Sequence, residues 1–179
     1  LWFAKRSDRP DFYTITSGSY SGGIAFLYRD PYGNIVGAQS TSEVVAGRRL
    51  QGKPLGDRQA KYKVWSHGDK IAYQLDTGEA PLHCFVPRDR TNLQPVIRLV
   101  EGGPKAPATG IVTGNIVIGG NGGRFGSETL RRYLDDITAN YFGGVRPLVL
   151  ADPDQDGKQA PAMWKAYRVA ETSGYGVQF

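Results

Sequence analysis

"VIGGNGGRFGSETLRRYLDDITANYF" (Val117–Phe142) changes its hydrophobic period halfway along. It opens on β-branched residues, passes through a glycine-rich corner, and then places Leu130, Tyr133, Leu134, Ile137 and Tyr141 at i, i+3, i+4, i+7 and i+11. That spacing puts five apolar side chains on one face of an α-helix. Ser127 suits the N-cap, Glu128 the first turn and Gly143–Gly144 the stop, which predicts an amphipathic helix over 127–142.

Outward from this helix the pattern is β-rich. "DFYTITSG" (11–18) alternates, and "GGIAFLYRDPYGNIVGAQST" (22–41) reads as a hairpin turning at "RDPYGN". "AKYKVWSHGDKIAYQLDTG" (60–78) repeats the design around "SHGDK", and "LHCFV" (82–86), "PVIRLV" (95–100) and "IVTGNIVIGG" (111–120) follow as strands. "RPLVLAD" (146–152) and "AMWKAYRVAE" (162–171) read as strands flanking "DPDQDG", and the tail 172–179 as an edge strand. "EGGPKAPATG" (101–110), rich in Gly, Pro and Ala, reads as an internal linker. The expectation is a mainly β, α+β chain: residues 1–179 as a single β-rich domain, an antiparallel sandwich or barrel carrying one helix.

Composition sets bounds on function. The chain has 179 residues, of which 40% are hydrophobic and 22% charged, enough for a buried core. Its 24 glycines are scattered as turn punctuation. The net charge of +5 is dispersed over "GRRL", "VPRDRTN" and "TLRRYL", so nucleic acid is an open partner without a dedicated basic block. One cysteine, Cys84, excludes an internal disulfide and a Cys-built zinc cluster. No apolar run approaches ~18 residues, so no membrane span is expected, and no signal-peptide pattern is visible.

The glycine corner fails both standard nucleotide motifs. From Gly120 it reads G-N-G-G-R-F, without the third glycine of a dinucleotide fingerprint, and Gly126 is followed by Ser127 where a P-loop needs lysine. A helix N-terminus beside Arg124 remains, which makes Arg124, Gly126 and Ser127 an anion-binding candidate. "DPDQDG" places Asp152, Asp154 and Asp156 at alternate positions before Gly157, the first half of a calcium loop, although the twelfth position is Met163 in place of Glu. A plain acidic β-turn is the preferred reading of this stretch, so no cofactor is expected, with calcium as the alternative. His67, His83 and Cys84 lack a third group to orient a base, and Cys84 reads as a core residue. "STSEV" (40–44) is similar to an element of arginine-type ADP-ribosyltransferases, but the downstream Glu-x-Glu they require is absent. Trp65, Trp164 and the tyrosines suit a base- or sugar-stacking surface, or the core and rim of a sandwich.

Two family resemblances follow. The helix Leu130–Tyr141, "GGVRPLVLADPDQDG" and "MWKAYRVAE", with the hairpin "YRDPYGNIVGA", resemble distal-tail and minor tail proteins of long-tailed bacteriophages. This implies a non-enzymatic structural or assembly subunit of a phage-like virion, self-associating or bound to neighbouring subunits. Secondly, "GRFG" (123–126), "RRYL" (131–134) and "GYGVQF" (174–179) resemble boxes of the tuberculosis necrotizing toxin family of NAD glycohydrolases. That resemblance implies a secreted toxin in which Arg124 and Gln178 carry catalysis. Gly123 replaces the family's Asp, and only "RPL" stands for its Leu-Pro-Pro segment. The virion reading is preferred, and it names no catalytic residue.

Overall fold

The computed structural model describes residues 3–5, 12–15, 24–41, 63–64, 66–67, 70–71, 78–121, 124–151 and 160–178. Contacts divide the chain into two units: Leu1–Tyr28 with Gly37–Tyr73, and Arg29–Val36 with Gln74–Phe179.

The first unit carries an antiparallel sheet in sequence order, β1 (Phe3–Lys5), β2 (Phe12–Ile15), β3 (Ile24–Arg29), β4 (Ile35–Thr41) and β5 (Lys63–Val64). β6 (Ser66–His67) and β7 (Lys70–Ile71) form a separate antiparallel pair. Of the hairpin expected over 22–41, the described residues 24–41 form β3 and β4 as the turn residues predict. Asp30 accepts hydrogen bonds from the Tyr32 and Asn34 amides and from the Asn34 side chain, and Gly33 takes the left-handed φ of 88° that closes the turn. The tip of this hairpin, Arg29–Val36, belongs to the second unit.

The second unit departs from the antiparallel expectation. Its strands are β8 (His83–Phe85), β9 (Val96–Val100), β10 (Ile116–Gly119), β11 (Leu148–Ala151) and β12 (Val177–Gln178), ordered β12-β11-β9-β10-β8. β10, β9, β11 and β12 run parallel, and only β8 is antiparallel. Three helices connect them: α1 (Lys105–Thr113), α2 (Ser127–Tyr141) and α3 (Ala160–Thr172). Among the described residues the chain is α+β with mixed sheets and three helices, not an antiparallel sandwich or barrel with one.

The register explains the layers. Ile97, Leu99, Ile116, Ile118, Val149 and Ala151 share one face and pack with α2 and α3 in the main core. Val100 and Val117 point the other way, onto Ala106 of α1. A sheet covered on both faces needs largely apolar strands: "IVIG" and "LVLA" are apolar throughout, and "VIRLV" departs only at Arg98, which donates to the Asn115 side chain. The helix expected over 127–142 forms as α2, with Leu130, Tyr133, Leu134 and Ile137 buried. Its N-cap is Gly126 rather than Ser127, and no side chain of its own caps it. The stretch 162–171 is helical, not a strand: Met163, Ala166, Val169 and Ala170 follow the 3.6 period and enter the core. Lys105–Gly110, within the linker-like 101–110, forms the first part of α1. Cys84 is buried in the core as expected.

Candidate functional site

The parallel sheet has a topological switch. β9 leads through α1 to β10 on one side, and β11 leads through α3 to β12 on the other. The two connections diverge between the neighbouring strands β9 and β11, and open α/β sheets bind ligands at the carboxyl ends of strands at such a switch. Leu99 pairs with Ala151, so β9 and β11 end next to one another in the sheet. After β9 comes Glu101; after Ala151 comes Asp152-Pro-Asp-Gln-Asp-Gly.

Glu101 is half-buried and forms an ion pair with Lys105 one helical turn on, at the start of α1. Its loop is fixed by backbone packing. A Cβ on Gly119 would lie 2.7 Å from Gly103 Cα and 2.8 Å from the Gly102 carbonyl oxygen, so only glycine lets β10 approach so closely. The Gly120 amide extends the pairing by donating to the Val100 carbonyl at 3.1 Å.

Asn121 and Arg124 exchange backbone hydrogen bonds of 3.2 Å each, and Phe125 is buried beneath. The amides of Glu128 and Thr129 donate to the Glu79 carboxylate at 3.3 and 2.8 Å. Burial alone would raise the Glu79 pKa, but hydrogen bonds from Thr129, Glu128 and Ser127 outweigh it and hold the carboxyl below its usual range. Glu79 therefore occupies the helix N-terminus at which Arg124, Gly126 and Ser127 form the anion-binding candidate. Gly126 leaves room for that carboxylate, since a Cβ there would collide with it. Glu79 lies 49 residues from its partner Glu128, which hides the cap from any local sequence signal.

Arg124 is exposed at the corner after β10, and Gln178 is exposed on β12. Two strands lie between β10 and β12, which separates them by roughly 14 Å across the sheet. The two residues implied by the toxin resemblance are not brought together. His83 and Cys84 form no dyad. Burial, with the Arg29 charge adding to it, pushes His83 down to about 3, and burial raises the Cys84 thiol. The side chain of His67 and all of Asp152, Asp154 and Asp156 lie outside the described residues. Among the described residues no group of three His, Cys, Asp or Glu side chains could hold a metal ion, and no helix is long and apolar enough to cross a membrane. Met163, at the twelfth position of the calcium pattern, is buried in the core and supplies no ligand.

No family model matches this chain, and no curated protein matches it. Solved structures do. A DNA primase domain from Pseudomonas aeruginosa matches with a TM-score of 0.50 and 19% identity over 94% of this chain. The Aquifex aeolicus primase (zinc-binding and RNA polymerase domains) matches at TM-score 0.48 and 13% identity over 93%. A DnaG primase catalytic domain bound to ssDNA matches at 0.47 and 15% over 89%. This chain covers 43%, 36% and 43% of those three chains, respectively. The two phage-tail and toxin resemblances are thereby corrected: they rest on short segments, one of them the helix α3 taken as a strand, whereas the fold over 94% of the chain is similar to that of a primase domain.

Proposed function

We propose that this chain is the TOPRIM-type catalytic unit of a primase-like enzyme, which transfers nucleotidyl or phosphoryl groups on nucleic acid with a bound divalent cation. The observation that carries this reading is Glu101 directly after the carboxyl end of β9, the strand whose Leu99 pairs with Ala151, the residue before the sequence run Asp152, Asp154 and Asp156. The fold likeness to a primase domain supports it independently. Carboxylates are hard oxygen donors and suit Mg2+ or Mn2+, and Glu101 with Asp152, Asp154 and Asp156 would hold the ion. An ion held there would supply positive charge against that which develops on the phosphate during transfer.

The chain's own groups supply the remainder. Gly119 and Gly103 hold the Glu101 backbone in place, and Lys105 balances the carboxylate and stands at hand for a phosphate. With Met163 in the core, the calcium-loop pattern lacks its closing carboxylate, which favours a smaller cation shared with substrate phosphates over a closed protein cage.

The test is Mn2+ binding, read by titration calorimetry, together with nucleotide incorporation on a single-stranded template. Glu101→Gln and Asp154→Asn should each weaken Mn2+ binding about tenfold or more and abolish incorporation. Mn2+ affinity equal to that of the unaltered chain in both variants would refute the assignment.

A further inference from the structure

Trp164 and Tyr167 on α3 stack on each other with ring centroids 4.9 Å apart and planes 4° apart. Trp164 is 51% exposed, although the same helix buries Met163, Ala166, Val169 and Ala170 in the core. About half of the indole faces solvent, and the Tyr167 ring against it holds it in one orientation. Lys165 and Arg168 are exposed beside it, one adjacent and one a turn further on. Arg168 pairs with Glu171 at 2.9 Å, an exposed pair that leaves the guanidinium within reach of an anion. α3 follows β11 in the chain, and Trp164 stands in its first turns.

We propose that Trp164, rigidified by Tyr167, is a stacking platform for a base of single-stranded nucleic acid, with Lys165 and Arg168 contacting the flanking phosphates. This rests on the reading of the chain as a nucleic-acid enzyme. It adds a binding site to that reading and assigns it no part in the chemistry. A flat aromatic face serves any base, and adjacent cations select a polyanion over a neutral sugar polymer.

The test uses the whole chain and a fluorescein-labelled oligothymidylate of about 12 nucleotides, with binding read by anisotropy. Trp164→Ala should weaken binding about tenfold, Trp164→Phe should retain most of it, and Lys165→Ala should lower the salt dependence by roughly one phosphate contact. Thermal midpoints should match across the set, because neither side chain is part of the core. Trp164→Ala binding as tightly as the unaltered chain, with Mn2+ binding intact, overturns this inference and leaves the proposed function standing. Binding of a neutral polysaccharide in place of the oligonucleotide overturns it too. Loss of both Mn2+ and oligonucleotide binding in the unaltered chain removes the parent reading as well.

Discussion

His83 is fully buried on β8, where its Nδ1 accepts the Arg29 amide at 3.1 Å. Its sequence neighbours say nothing of this, because the donor is 54 residues away. Folded, the imidazole stays neutral down to about pH 3, while in the unfolded chain it titrates near 6.5. Over that window the unfolded state binds the extra proton, so stability is present above pH 6.5 and is lost as pH falls towards 3. Urea midpoints should therefore drop between pH 7 and pH 5, a range above the one in which Glu79 titrates. His83→Gln, which keeps an acceptor for the Arg29 amide, should flatten that slope. An unaltered slope in the variant would assign the pH dependence to other groups. Glu79 acts in the same direction at lower pH, its depressed pKa contributing stability that disappears as its carboxylate is protonated.

At the scale of the element, α1 is held by an absence of side chain. A Cβ on Gly110 would run into the Phe85 ring of β8, so the helix lies as close to the sheet as its backbone allows. Gly110→Ala should destabilise by about 1–3 kcal/mol despite alanine's better helix propensity, and adding Phe85→Leu should recover part of the loss. Chemical denaturation of the single and double variants measures both. This packing also explains why α1 is hard to read: a helix containing Pro107 and Gly110 has the composition of a linker. α2 is legible because its apolar stripe is long and its glycine stop is local. α3 misleads because Trp164 and Tyr167 are exposed or half-buried aromatics, and counting them as inward-facing blurs the narrow stripe of Met163, Ala166, Val169 and Ala170.

Across the whole molecule, the three apolar runs 96–100, 116–119 and 148–151 are visible in the sequence, as is the acidic run that follows the last of them. Their order in space is not, because no local signal says that β11 passes over β9 to its far side. For that reason Glu101 stays hidden in a linker-like stretch, and Asp152, Asp154 and Asp156 suggest a self-contained loop without a partner strand. The interleaving of the two units has a practical consequence of its own. Residues 74–179 cannot be excised cleanly, because the second unit borrows Arg29–Val36 from the middle of the first. Removing that tip strips His83 of its donor, the Tyr141 hydroxyl of the Pro31 carbonyl at 2.7 Å, and Asp136 of the Tyr32 hydroxyl at 2.9 Å. A 74–179 fragment should melt well below the intact chain and gain stability when a peptide spanning 24–41 is added in trans, as calorimetric scans would reveal. Evolution by shuffling whole modules would meet the same obstacle: a cut at any single peptide bond divides one unit or the other.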